Sequence, residues 1–261
     1  MARKQKQIRS DIAWSTPDRI EVRGKSLPDE ILGHLNLGDM AFLQLTGRMP
    51  TREQSILFNA IVVTLVEHGI TPSALAARLT YAGAPEALQA AVAAGLCGLG
   101  SVFVGSMEGA ARMLGDALPY DAADTDLDAL AVGIVAEHKA AGRIVPGLGH
   151  PLHKPVDPRT PRLFAIAAET GHDGRYIALM RKVAAEAERV SGKVLPINAT
   201  GAIGAIACEL GFPWKIVRGF GVMARAIGLV GHILEEAEQP MAIEIWQRVE
   251  DEASRHARPA E

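Results

Sequence analysis

Residues 142–162 read GRIVPGLGHPLHKPVDPRTPR, and they decide the fold because they interrupt a chain otherwise written for helices. The segment is dense in glycine, proline and histidine, while alanine, leucine and isoleucine recur at helical spacing on either side of it. Of the 261 residues, 48% are hydrophobic but only 5% aromatic, a composition that favours packed helices over aromatic-rich sheets. An all-α fold with about ten helices is expected. Within the segment, Gly147 and Gly149 carry no side chain to shield their main-chain groups, so the loop can hold a flat heterocycle or an anion through them. His150 sits between Gly149 and Pro151, and Pro151 and Pro155 stiffen the chain beyond it. Lys154, Asp157 and Arg159 therefore project from a rigid scaffold, as acid–base and carboxylate-binding groups must. Two other readings stand beside this one. A zinc site of His150, His153 and Asp157 matches no strong zinc spacing, lacks a nearby cysteine and faces the positive charge of Lys154 and Arg159. A purely structural proline-rich turn is the other.

Outward from this segment the chain has few breaks. DRIEVRGKSL, 18–27, alternates around Ile20 and Val22 before Gly24 and is the only plausible strand or hairpin arm. Helical spacing begins at DEILGHL and closes one segment at Gly47 and Pro50. Thr51 and Gln54 form a capping-box pattern for the next helix, which should end near Gly69. Pro72 and Pro85 lie near further helix starts, and Gly95, Gly98, Gly100, Gly105 and Gly109 point to a close backbone approach or a ligand, or to a seam of small residues between helices or subunits. An acidic linker, a helix stopped at Gly142, two helices after Pro161 and three more segments after KVLPINATG complete the pattern.

Charge and cysteine content narrow the function. A net charge of -3 and a pI near 6.3 give no global attraction to nucleic acid or to an anionic membrane. The basic opening ARKQKQIR reads as a short solvated tail. Cys97 and Cys208, each in an apolar run of small residues, are expected to be buried free thiols in a reducing compartment. With no apolar leader and no apolar run near the ~20 residues of a spanning helix, a cytoplasmic location is expected.

Two more polar residues stand out. His68, in EHGITPS, lies where one helix ends and another begins, so it either caps a helix C-terminus or belongs to a site. Arg225 lies on an apolar helical stretch with His232 two turns along the same face. Its charge needs a partner, either Glu235 or Glu236 or a ligand carboxylate bound bidentately.

Together these segments resemble the citrate synthase superfamily, and within it the short citryl-CoA lyase branch that includes the C-terminal domain of ATP-citrate lyase. The likeness runs from about residue 18 to about residue 240. VPGLGHPLHKPVDPR is similar to the family's PG-x-GH and DPR signature, with His150, Asp157 and Arg159 in register; EHGITPS and ARAIGLVGHILE resemble two further family elements. The resemblance implies a helical fold with a short β element near the N-terminus, a large domain of 1–112 and 201–261, and a small domain of 113–200. It implies that His150 bonds the ketone oxygen of oxaloacetate or the tertiary hydroxyl of a citryl group, with His68 on the same substrate and Arg159 and Arg225 on its carboxylates. Val145, Pro146, Gly147, Leu148 and Gly149 would hold the adenine of coenzyme A by their backbone, with Lys154 near its phosphates. Coenzyme A as a substrate thioester, no metal, and a homodimer or dimer of dimers are implied as well.

The sequence departs from the synthases in three places. Where they carry a histidine for the thioester oxygen, this chain has Phe103, and an aromatic residue at this place also occurs in the lyase branch. Where they carry a catalytic aspartate, Thr200 stands in PINATGA; a hydroxyl is too weak a base at neutral pH, and general-base catalysis is worth ~10²–10⁴-fold. The late arginine that reaches a neighbouring subunit has no counterpart at the expected place after Glu238. Enolisation should therefore suffer more than cleavage, in which His150 would take the hydroxyl proton and Thr200 or a held water would protonate the enolate. The expected function is cleavage of citryl-CoA, or a related 3-hydroxy-3-carboxyacyl-CoA, to acetyl-CoA and a 2-oxo acid. A condensing enzyme using Glu108 as base and a non-catalytic dimer binding coenzyme A or a dicarboxylate are the alternatives. No ATP-grasp or phosphohistidine segment is legible, so citrate activation is expected on a separate protein.

Overall fold

Ile20–Val22, the one strand legible in the sequence, is the centre of three in the computed structural model, which describes residues 8–122 and 125–258. β1 (Ala13–Ser15), β2 (Ile20–Val22) and β3 (Lys25–Ser26) pair antiparallel in that order, with Ala13 opposite Val22 and Val22 opposite Lys25. β1 carries no legible alternation, since three residues, AWS, are too few to show one. Arg23 and Gly24 take the left-handed conformation between β2 and β3, the pairing that a tight hairpin turn requires. Val22 packs with Ile31 and Leu43 beneath this sheet. The basic opening lies mostly outside the described residues.

The helical spacing at DEILGHL does not become an ordinary helix. It forms a five-residue π-type turn, Leu27–Ile31, capped by Ser26, and the first full helix, α1 (Leu37–Thr46), starts only after Asn36 caps it. α2 (Arg52–Val66) begins with the expected capping box: Gln54 N–H donates to Thr51 Oγ1 and Thr51 N–H to Gln54 Oε1. It stops three residues before Gly69. Thr71 then caps α3 (Pro72–Gly83).

The glycine-rich stretch after Pro85 is two helices, α4 (Leu88–Cys97) and α5 (Gly105–Ala117), with the turn at 98–104 between them. α6 (Leu127–Ala140) ends before Gly142, as expected. α7 (Arg159–Glu169), α8 (Arg175–Ser191), α9 (Ala199–Glu209), α10 (Trp214–Glu238) and α11 (Ala242–Ser254) come next, so eleven α-helices occur among the described residues.

The chain divides into two units, Met1–Ala60 and Ile61–Glu261. In the first, Phe42 of α1 meets Phe58 of α2 edge-on with ring centroids 5.5 Å apart. In the second, α9 lies against α5, α8 and α7, and α10 against α3, α4 and α5. α9 is buried along almost its whole length, which its alanines, isoleucines and glycines permit. A Cβ at Gly204 would come within 2.8 Å of the Met107 carbonyl, so the α9–α5 approach demands glycine there. α10 is long and apolar enough to cross a membrane by length and composition, but 44% of its apolar window is buried inside the protein, as in a core helix.

Two sequence expectations are corrected here. Cys208 is buried, but Cys97 is exposed at the end of α4, because an apolar neighbourhood in sequence does not fix which face of a helix turns inward. Glu235 and Glu236 do not pair with Arg225; they pair with Arg78, a fully buried guanidinium on α3 whose Nη1 lies 3.0 Å from Glu236. Glu236 also accepts from the Met241 and Ala242 N–H groups, closing the start of α11.

Candidate active site

Two glycines set the loop at 145–149 against the first turn of α9. Gly147 and Gly149 are both left-handed, at φ +84° and +76°. A Cβ on Gly147 would lie 2.5 Å from Gly201 Cα, and one on Gly201 would lie 2.4 Å from the Gly147 carbonyl, so this crossing excludes any side chain on either strand of backbone. Leu148 pairs with Ile197 as an isolated bridge, through Gly149 N–H to Pro196 O at 2.8 Å and Asn198 N–H to Gly147 O at 3.0 Å. Gly147 N–H donates to Ser106 Oγ at 3.0 Å, and Gly149 O accepts from Asn198 Nδ2 at 2.7 Å.

The main-chain groups of both glycines, expected to stand open for a ligand, are thus engaged inside the protein. Unpaired backbone groups this close to packed helices would be costly, and the fold satisfies them. Each carbonyl keeps a second lone pair for an incoming donor.

Asn198 is a residue whose role the sequence did not disclose. It caps α9 by accepting from Gly201 N–H at 3.0 Å, so its Oδ1 and Nδ2 are fixed in opposite directions. Thr200 Oγ1 donates to that same Oδ1 at 2.6 Å. The Thr200 proton is thus directed at the α9 cap, with the oxygen lone pairs left to accept.

Asp157 ties the other end of the segment to α9. It is fully buried and accepts from Arg159 Nε and Nη2 at 3.0 and 2.8 Å and from Ala199 N–H at 2.9 Å. Burial alone would raise this carboxyl, but the Arg159 fork and the two N–H donors outweigh it and bring the pKa down to about 2. Asp157 is thus spoken for, and the zinc set of His150, His153 and Asp157 does not assemble.

The rings that do come together are His68, His150 and His153, with one ring nitrogen of each within 4.8 Å of the other two. His150 and His153 stack at 4.3 Å between centroids, and His68 lies 6.1 and 5.7 Å from them. His150 Nδ1 accepts from the backbone N–H of Leu152 at 3.1 Å and of His153 at 2.9 Å. A backbone N–H can only donate, so neutral His150 carries its proton on Nε2 and is a hydrogen-bond donor there. Burial, then the neighbouring His153, hold it below the ordinary histidine range. In that tautomer the outward nitrogen of His150 bears the proton and faces a ligand as a donor. The three rings could hold one metal ion only if His150 gave up that Nε2 proton against two donors on Nδ1.

His68 sits on the short turn after α2, and its ring does not finish that helix. Glu67 fixes the turn itself, accepting from His68 N–H at 2.7 Å and Gly69 N–H at 2.6 Å. Glu67 Oε2 is 3.0 Å from His232 Nε2, and His232 Nδ1 accepts from Arg78. A polar chain thus runs from Glu236 through Arg78 and His232 to the turn that carries His68. Burial, then the charge of Arg159, His153 and Arg225, lowers the His68 pKa.

Arg225 is buried on α10, 3.5 Å from Thr71 Oγ1, and its Nε has no hydrogen-bond partner. Burial lowers its pKa, opposed by Glu67. A guanidinium so placed suits an anionic ligand. Phe103 and Lys154 are exposed, outside the hydrogen-bonded cluster. Glu108 forms an ion pair with Arg218 at 3.0 Å.

The citrate synthase C-terminal domain profile matches residues 19–246 of the chain. The chain belongs to the citrate synthase family. Among solved structures, this family member is 34% identical to citryl-CoA lyase from Hydrogenobacter thermophilus, with a TM-score of 0.80 over 88% of this chain and 87% of that one. ATP citrate lyase from Methanothrix soehngenii, in complex with citrate and coenzyme A, shares the fold at 22% identity and a TM-score of 0.72, over 91% of this chain and 40% of its own. A curated relative, a probable ATP-citrate synthase of Dictyostelium discoideum, is 22% identical over 250 residues, and the citrate synthase family chain spans 39% of its length. The all-α, citrate synthase-like fold with its short N-terminal sheet is as the sequence implied.

Proposed function

We propose that this family member is a carbon–carbon lyase that cleaves citryl-CoA, or a related 3-hydroxy-3-carboxyacyl-CoA, to acetyl-CoA and oxaloacetate or a kindred 2-oxo acid. The observation that carries the reading is the His150 tautomer. An Nε2–H held in place by two backbone donors on Nδ1 is preorganised to bond the oxygen that becomes the ketone of the 2-oxo acid. His68 reaches the same oxygen or an adjacent carboxylate. Arg225, with a buried unpaired Nε, and the edge of Arg159 not used by Asp157 take the carboxylates.

In cleavage the tertiary hydroxyl loses its proton, its oxygen becomes the carbonyl, and the carbon–carbon electron pair leaves as the enolate of acetyl-CoA. That enolate takes a proton from water, since the Thr200 hydroxyl already donates to Asn198. The coenzyme lies along Val145, Pro146, Gly147, Leu148 and Gly149, with the remaining carbonyl lone pairs available to an adenine amine and Lys154 free to swing toward phosphate. Phe103 lines the thioester side. The donor chemistry of the histidine cluster suits protons rather than a metal ion. The pairing of Glu108 with Arg218 weighs against Glu108 as a base for condensation. We further propose a large domain of 1–112 and 201–261 with a small domain of 113–200, a homodimer or dimer of dimers, and citrate activation by a separate protein.

Purified protein incubated with citryl-CoA should release oxaloacetate, read by coupling to malate dehydrogenase and loss of NADH absorbance. His150→Ala should lower the rate by ~10²–10³-fold, as removal of one oxyanion donor does. Absence of product from the unsubstituted protein would refute the reading.

A further inference from the structure

The cleavage reading leaves one proton without a destination, and the histidine cluster holds a residue that no motif accounts for. His150 is a donor at Nε2 and cannot accept the hydroxyl proton without displacing two backbone N–H groups from Nδ1. His68 is surrounded by the charges of Arg159 and Arg225 and pushed toward its neutral form, first by burial, so a further proton there is disfavoured. His153 remains. Its ring is half-buried, stacked on His150 at 4.3 Å with 27° between planes, and edge-on to His68. Among the described residues its ring nitrogens make no hydrogen bond, while its backbone N–H is one of the two donors that fix His150.

We propose that His153 is the general base of the cleavage reaction, accepting the tertiary hydroxyl proton of a citryl-type thioester while His150 donates to the same oxygen. The geometry allows both at once. One ring nitrogen from each of His68, His150 and His153 lies within 4.8 Å of the other two. A hydrogen bond spans about 2.8 Å, so a single oxygen can reach two of them with an angle close to that of a hydroxyl. The proton leaves oxygen for the His153 imidazole, the carbon–carbon bond breaks toward the thioester, and the enolate is protonated by water. The His153 imidazolium then returns its proton to the hydroxide so formed. No oxidant, reductant or metal enters the balance. The same backbone turn thus sets a donor and an acceptor side by side: it forces the His150 proton outward and presents the neighbouring ring unbonded.

This inference rests on the lyase reading, and the test separates the two. Unsubstituted protein, His153→Gln and His153→Ala are compared for citryl-CoA cleavage and for oxaloacetate binding by calorimetry. Both variants keep the backbone N–H that fixes His150. If the unsubstituted protein cleaves nothing, the lyase reading fails. If it cleaves, the expected result is a kcat lowered ~10²–10⁴-fold in both variants with oxaloacetate affinity within threefold. Added imidazole should restore His153→Ala in proportion to its free-base concentration. A kcat within threefold of the unsubstituted protein, a loss that imidazole does not relieve, or a matching loss of oxaloacetate binding overturns the assignment.

Discussion

Replacing Asp157 with asparagine should cost the protein about 2–3 kcal/mol, and the number comes from the carboxylate's surroundings in two ways. Its pKa falls from the usual 3.8 to about 2, the fork of Arg159 and two N–H donors overcoming the penalty of burial. At ~1.36 kcal/mol per unit, the folded state favours the anion by about 2.4 kcal/mol. Independently, Asp157→Asn turns an amide donor toward either Arg159 or the buried Ala199 N–H, and a buried donor left without an acceptor costs ~1–3 kcal/mol. The Arg159 side chain keeps 28% of its surface in solvent, which holds the loss below the ~3–5 kcal/mol of a fully buried broken pair. In thermal melts, 2–3 kcal/mol corresponds to a fall of about 5–10 °C for a chain of this size.

The sign with pH is fixed. A depressed carboxyl stabilises the fold fully above its unfolded pKa and loses that contribution as pH falls through the folded value of about 2. The pH-dependent part of the difference between the two proteins should be whole at pH 6, about half gone near pH 3, down to about a sixth near pH 2 and absent only near pH 1. Urea midpoints and melts at these values measure it. A melting point lowered by less than about 2 °C at pH 7, or a difference that does not shrink in acid, would refute the account.

Three other outcomes are expected. Gly201→Ala places a Cβ 2.4 Å from the Gly147 carbonyl, backbone against backbone, so the loop at 145–149 must lift from α9; a loss of about 1–3 kcal/mol and weaker binding of coenzyme A in calorimetry should appear together. Arg78→Met strands Glu236 in the core beside His232 and should cost about 3–5 kcal/mol in urea unfolding; the double change with Glu236→Gln should recover part of it. Only one thiol per folded chain should react quickly with an aromatic disulfide, because burial pushes the Cys208 thiol up to about 12 whereas Cys97 is exposed. Cys97→Ser should remove the fast phase and leave Cys208 to react on unfolding.

Much of the architecture was legible in short-range chemistry. The Thr51–Gln54 capping box, the Thr71–Pro72 helix start and the stop at Gly142 are local events, settled within a turn of helix by which groups can satisfy the end of a backbone ladder. The same holds for the stiffness of 142–162 and for its membership of a recognisable family segment. Residues His68, His150, Arg159 and Arg225 could be nominated because polar groups at such places need a reason. What those groups do could not be read. Whether Arg225 meets Glu236 or a ligand depended on Arg78, 158 residues before Glu236, claiming the glutamate first. Whether Thr200 could donate depended on Asn198 capping α9 with the very oxygen the hydroxyl reaches.

The boundary between the two kinds of knowledge passes through His150. Sequence alone determined that a histidine is held rigidly between glycine and proline, since backbone freedom is a property of neighbouring residues. Tertiary structure alone decided which nitrogen bears the proton, which ring stacks beside it and which charges surround His68, because hydrogen-bond direction and electrostatic pressure act through space and are fixed only once α3, α9, α10 and the loop at 145–149 have packed.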